Sequence, residues 1–150
     1  MDELTLLKSA YSATPDNRDL ARLYATKLAE AGRWQEVCAV LGPFATFGHV
    51  DDWILLDLGV ATLEVGDHTG AIACFIPLIG KKDLTDDQVL KLYPALIRAL
   101  LEDGQTESAE DALSDLLEKL PGYDPEPLLE LFMRHGHRPR IKMKQRNADR

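Results

Sequence analysis

The fold of this chain is decided by residues 20–41, which read LARLYATKLAEAGRWQEVCAVL. Apolar residues recur at helical spacing on both sides of an interruption at Ala31-Gly32-Arg33. A glycine directly after a helical pattern favours a left-handed C-cap, which ends one helix and lets the chain reverse. The stretch therefore predicts two short amphipathic helices joined by a tight turn.

The same arrangement occurs twice more along the chain. The segment from Trp53 to Ile79 is interrupted at Gly66, and the segment from Gln88 to Leu120 is interrupted at Gly104. Gly32 and Gly66 are 34 residues apart, whereas Gly66 and Gly104 are 38 apart, which fits a four-residue insertion before the third unit. The chain is therefore predicted to contain an internal repeat built from helix pairs.

A helix-turn-helix unit with a period of 34 residues resembles the tetratricopeptide repeat family. That family has a small residue seven positions before each glycine, where Ala25 and Gly59 fit and Ile97 does not. An aromatic residue is usual two positions after the glycine, and only Trp34 satisfies this. A bulky apolar residue eight positions before the glycine is present in all three units, as Tyr24, Leu58 and Leu96. The resemblance covers roughly residues 2–121.

The resemblance implies an all-α fold in which helix-turn-helix repeats stack into a short right-handed superhelix. We expect residues 1–135 to form one repeat domain, followed by a basic, mobile tail at 136–150. The expected parts of the domain are a half repeat at 2–13, repeats at about 18–48, 52–82 and 86–120, and a capping helix at 125–135.

Charge is divided unevenly along the chain. The net charge is −8, but residues 1–133 contain 10 Lys or Arg against 24 Asp or Glu, and residues 134–150 contain seven against one. An acidic body repels nucleic acid, since contacts with the phosphate backbone supply most of the affinity in such complexes. We therefore expect no nucleic-acid partner, while generic DNA or RNA binding through the tail stays a minor alternative.

The compartment can be inferred from the N-terminus and the cysteines. Met1-Asp2-Glu3 is acidic and unlike a secretory signal, and no apolar run approaches the roughly 18 residues that span a bilayer. Cys38 and Cys74 both fall in helical apolar patterns, which predicts buried free thiols. We expect a cytoplasmic protein with no membrane partner.

Candidate chemistry is sparse. His135 and His137 lie among cations and lack a cysteine or acid at zinc spacing, so we expect no metal site. Acidic clusters such as Asp51-Asp52 lie near predicted helix N-termini, where carboxylates complement the helix dipole. Glycine-rich phosphate loops are absent from the sequence. We therefore expect no catalytic residue, no cofactor and no enzymatic activity.

A binding surface is the more informative prediction. In the tetratricopeptide family the first helix of each pair lines a concave groove, and the corresponding positions can be transferred residue by residue. The resemblance implies an apolar centre with basic residues around it, and the predicted peptide-binding residues are Trp53, Leu56, Val60, Arg22, Lys91 and Arg98. The alternative is that the insertion near residue 80 or the segment from Phe44 to Phe47 folds over Trp53 and buries it.

Some family members hold the C-terminal carboxylates of chaperones with Lys, Asn and Arg side chains on these helices. Here Thr26, Asp57 and Ala95 replace three of the five clamp residues, and Asp57 would repel a carboxylate. We therefore expect an adaptor or chaperone that binds another polypeptide segment in the groove, with self-association left open. The alternative is a regulatory or assembly domain attached through the basic tail to an enzyme such as an ATPase.

Overall fold

The computed structural model describes residues 2–46 and 50–140. Over these residues the all-α prediction is confirmed, because the structure contains eight α-helices and no strand. None of these helices is both long enough and apolar enough to cross a membrane. The helices are α1 (Glu3–Ala13), α2 (Arg18–Glu30), α3 (Trp34–Thr46), α4 (Asp52–Glu64), α5 (His68–Ile79), α6 (Asp86–Glu102), α7 (Thr106–Lys119) and α8 (Glu126–Arg134).

The first of two compact units comprises Met1–Cys74. Within it α1 packs on α2, α2 on α3 and α3 on α4. Small residues let the helices approach closely, since Ala21 and Ala25 are buried in the same core cluster as Leu28 and Leu41. Helix α1 has no fully buried residue. It contributes partly buried side chains to that core, namely Leu4, Leu7 and Tyr11.

The second unit comprises Phe75–Arg150, so the boundary between the units lies inside α5. Within this unit α6 packs against both α7 and α8. Thr85 and Gln88 form a capping box at the start of α6, which satisfies two backbone donors reciprocally. The largest fully buried side chains of α6, α7 and α8 are Tyr93, Leu92, Leu96, Ile97, Leu113, Leu116 and Phe132.

The three predicted helix breaks are confirmed. The turn glycines have positive φ angles of +73° at Gly32, +95° at Gly66 and +78° at Gly104. After Gly66 the amide of Asp67 donates to the carbonyl oxygen of Thr62 at 3.0 Å, as in a Schellman motif. The local backbone requirement, rather than packing, explains these glycines, because a Cβ added at any of the three would meet nothing within 4 Å.

A fourth turn of the same kind follows α8 and was not predicted from the sequence. Gly136 has φ +73°, and the amide of His137 donates to the carbonyl oxygen of Phe132 at 3.0 Å. This turn directs residues 137–140 onto α7, and the described part of the predicted tail is 136–140. The remainder of that tail, residues 141–150, lies outside the described residues.

Candidate functional site

The first unit brings together two of the residues predicted to bind a peptide, Arg22 and Trp53. The guanidinium carbon of Arg22 on α2 lies 4.8 Å from the ring centroid of Trp53 on α4, in cation–π geometry. Arg22 is exposed, whereas Trp53 is partly buried and packs against the core of the unit. The exposure of Trp53 is therefore intermediate between that expected in an open groove and that expected if another segment covered the ring.

A second pair of the same kind lies one helical turn earlier on α2. The guanidinium carbon of Arg18 lies 5.6 Å from the ring centroid of Phe44 on α3, and its Nη1 is 3.1 Å from Oδ2 of Asp51. Residues four apart on a helix share a face, so Arg18 and Arg22 each lie over an aromatic ring on the same side of α2. We call Arg18, Arg22, Phe44 and Trp53 the cation–aromatic surface.

An open hollow of about 340 Å³ adjoins this surface. Ligand sites commonly have volumes of about 300–1,000 Å³, so the hollow is at the small end of that range. Its walls combine apolar rings with one cation and one acid, and the lining residues are Pro15, Asp16, Arg18, Pro43 and Phe44. A hollow of this size and composition suits a single apolar side chain with a polar neighbour.

Neither of the other two predicted residues of α4 is exposed. Leu56 is only 6% exposed, so it offers little area to a partner in this conformation. Val60 is partly buried, as Trp53 is. On α2, Leu23 is 56% exposed, but residues adjacent in a helix do not share a face, so its exposure does not add it to the side of α2 that carries Arg18 and Arg22. Of the predicted apolar residues, Trp53 and Val60 therefore remain partly accessible.

Lys91 and Arg98 belong to the second unit, where both lie on α6. They are seven residues apart, which places them on one face two turns apart. Lys91 is exposed, and Nε of Arg98 lies 3.9 Å from Oε1 of Glu102. Their membership of a peptide site stays a prediction.

A polar cluster that the sequence did not indicate surrounds Glu110 on α7. Glu110 is 7% exposed, and it is the only charged residue that is buried within residues 2–46 and 50–140. Its Oε2 accepts a hydrogen bond from the backbone N–H of Arg140 at 2.7 Å and lies 2.8 Å from Nε2 of His137. These two contacts, the Arg140 amide first, hold the pKa of Glu110 below its usual value.

The two thiols and one buried tyrosine are shielded from solvent to different degrees. Cys38 and Cys74 are free and partly buried, and burial raises the pKa of the Cys74 thiol. A raised pKa reduces the thiolate fraction, which is the reactive form. The Tyr93 hydroxyl donates to Asp115, and burial together with that carboxylate raises the pKa of Tyr93. Among the described residues no group of three or more His, Cys, Asp or Glu could hold a metal ion.

Comparison with known proteins assigns no family. No protein-family model matches the chain, and no curated protein matches its sequence. The resemblance to tetratricopeptide repeats therefore depends on the repeat pattern, and the candidate site depends on its own geometry.

Proposed function

We propose that this chain is a cytoplasmic helical-repeat adaptor or chaperone, which binds a segment of another polypeptide on the cation–aromatic surface of its first unit. In this proposal the chain performs no catalytic step. The raised pKa of Cys74 is consistent with that part of the proposal, since a protonated thiol is a poor nucleophile.

The observation that carries the proposal is the cation–π contact between Arg22 and Trp53. A guanidinium that lies over an indole ring uses the ring face for its charge and keeps N–H donors for a further partner. Arg22 is exposed, so a partner can reach these donors. The pair therefore combines an accessible donor with an adjoining aromatic ring, and Trp and Arg are both enriched at interface hot spots.

The chemistry of this surface defines the kind of segment that would bind. Arg22 suits a carboxylate or a backbone carbonyl, which its planar donors can contact through two hydrogen bonds. The ring of Trp53 would cover an adjoining apolar side chain. The hollow beside Phe44 could accept a second apolar side chain farther along α2. We therefore propose that the bound segment is extended and carries two apolar residues with a hydrogen-bond acceptor between them.

The proposal can be tested with a library of displayed peptides as the probe. Peptides are selected on the wild-type chain and counter-selected on the Trp53→Ala variant, so that sequences bound elsewhere are removed. Trp34→Phe leaves Trp53 as the only tryptophan of the chain. Binding of a selected peptide to that variant can then be followed through the fluorescence of Trp53.

The expected result is a family of peptides whose binding shifts the Trp53 emission and weakens at least tenfold in Arg22→Gln. Arg33→Gln is the matched control, since Arg33 is an exposed arginine whose guanidinium already pairs with Glu36. Peptides that bind Arg22→Gln and Arg33→Gln equally would contradict the proposed site. A selection that yields no specific binder would also contradict it.

A further inference from the structure

The segment after α8 makes a contact that a disordered tail would not make. Two donors from this segment, the Arg140 amide and the His137 ring, converge on the same oxygen, Oε2 of Glu110. The ring of His137 also lies against Phe132 on α8, with the centroids 6.0 Å apart. Residues 136–140, which we call the strap, are therefore joined to both α7 and α8.

Glu110 depends on this strap for its partners. A buried carboxylate is strongly unfavourable unless donors replace the lost water. Both hydrogen-bonding contacts recorded for the Glu110 side chain come from the strap. The Glu110 side chain on α7 is thus the fixed point of the contact, and the strap supplies the two hydrogen-bond donors that its carboxylate requires.

Helix α8 is held by few other interactions. It has nine residues, and an isolated helix of that length is not stable in water. Its buried residues are Leu128 and Phe132, whereas α6 and α7 have eight and six buried residues respectively. Proteins open locally where buried apolar contacts are few, so α8 is the element of this group that should open first.

We propose that the strap is a releasable clasp: while bound to Glu110 it holds α8 closed against α6, and its release lets α8 open with α6 and α7 still folded. Opening would uncover Leu128 and Phe132 together with the apolar surface of α6 that α8 covers. The protein would then have a second, latent apolar surface, separate from the cation–aromatic surface of the first unit.

Hydrogen exchange of the full-length chain, measured by NMR, tests the clasp directly. Glu110→Gln keeps the size of the side chain but removes its charge, and Glu107→Gln makes the same change at an exposed position one turn earlier on α7. We expect Glu110→Gln to accelerate exchange at residues 128–135 and at the Arg140 amide by about 10- to 100-fold. In both proteins the amides of α8 should exchange faster than the most protected amides of α6 and α7, because α8 opens while α6 and α7 stay folded. Glu107→Gln should exchange like the wild type.

His137→Ala provides a second variant that acts from the strap side. Its replacement removes the contacts of the partly buried His137 ring with Glu110 and Phe132, whereas the Arg140 amide can still donate to Glu110. We expect His137→Ala to accelerate hydrogen exchange less than Glu110→Gln does, again at residues 128–135 and at the Arg140 amide. Unchanged exchange in α8 for both variants would overturn the proposal. It would also be overturned if α8 exchanged only as slowly as the most protected amides of α6 and α7, or if Glu110→Gln failed to fold, because α8 would then not open separately from the unit.

Discussion

Nε2 of His137 lies 2.8 Å from Oε2 of Glu110, although 27 residues separate the two along the chain. The pair connects the turn after α8 to the middle of α7. The pair affects stability through the Glu110 carboxylate, because a buried negative charge destabilises the fold unless hydrogen-bond donors contact it. Two of the predictions below depend on this relationship.

The first prediction concerns pH. Contacts with the Arg140 amide and the His137 ring lower the pKa of Glu110 in the folded chain, relative to the ordinary value of 4.5 for a glutamate. The stabilisation by Glu110 is therefore fully present above that ordinary value and is lost as the pH falls through the lowered pKa. Glu110→Gln should reduce the free energy of unfolding by about 1–2 kcal/mol at neutral pH.

Urea unfolding of the wild type and of Glu110→Gln at neutral and strongly acidic pH provides the measurement. The difference between the two proteins should narrow as the acid protonates Glu110, and Glu107→Gln serves as the control for general charge effects. A difference that stays constant down to strongly acidic pH would show that the carboxylate charge has no role in the contact.

The second prediction separates two parts of the C-terminal segment. The sequence alone suggests that deleting residues 137–150 leaves the melting temperature nearly unchanged, but this deletion removes both partners of Glu110. Deleting residues 141–150 keeps them. The longer deletion should therefore cost about 1–3 kcal/mol more than the shorter one, because Glu110 loses both of its hydrogen-bonding contacts. Thermal unfolding of both truncated chains tests this prediction. Equal melting temperatures would instead support the expectation from the sequence that residues 137–150 contribute little to stability.

The third prediction concerns the turn between α4 and α5. Gly66 has φ +95° and open space around the position of a Cβ, so a substitution there is opposed only by the backbone. Gly66→Val should cost about 1–2 kcal/mol, since β-branched residues resist this conformation. Gly122→Val is a suitable control, because Gly122 also has open space but no positive φ. Chemical denaturation should show a clear loss only for the first variant.

The fourth prediction uses Arg22 and Trp53 as a pair. Trp53 is partly buried against the core, so Trp53→Ala should lower the free energy of unfolding by about 1–3 kcal/mol, less than for a fully buried tryptophan. Arg22 is exposed, so Arg22→Gln should change stability by no more than about 0.5 kcal/mol. The counter-selection already ensures that a selected peptide binds Trp53→Ala weakly, and we expect Arg22→Gln to weaken its binding as well. A binding defect in Trp53→Ala alone would indicate that the tryptophan acts through the fold.

The helix breaks could be predicted because their cause is local. A glycine that follows a helical pattern provides the left-handed residue of the C-cap, and nothing distant along the chain has to be known. The same reasoning applies to Gly136, which follows α8 as Gly32 follows α2. The basic residues around Gly136 indicate a tail, and this composition hides the turn signal of the glycine.

The contacts of the candidate sites could be predicted only in part. The repeat resemblance placed Arg22 and Trp53 among the predicted peptide-binding residues, but no sequence pattern gives the 4.8 Å approach of one over the other. Arg18 could have been found from its spacing to Arg22, whereas its contact with Phe44 depends on how α2 and α3 pack. The degree to which Leu56 is buried depends in the same way on the surroundings of α4.

Arg140 hydrogen-bonds to Glu110 through its backbone N–H, and its guanidinium adds only a weaker charge–charge attraction that also lowers the pKa of Glu110. Every residue except proline carries that donor, so the hydrogen bond places no demand on the side chain at this position. Position 140 is therefore suited to labelling: a cysteine introduced as Arg140→Cys could carry a fluorophore while the backbone donor stays in place. The emission of such a label would report, in single molecules, whether residue 140 lies against α7.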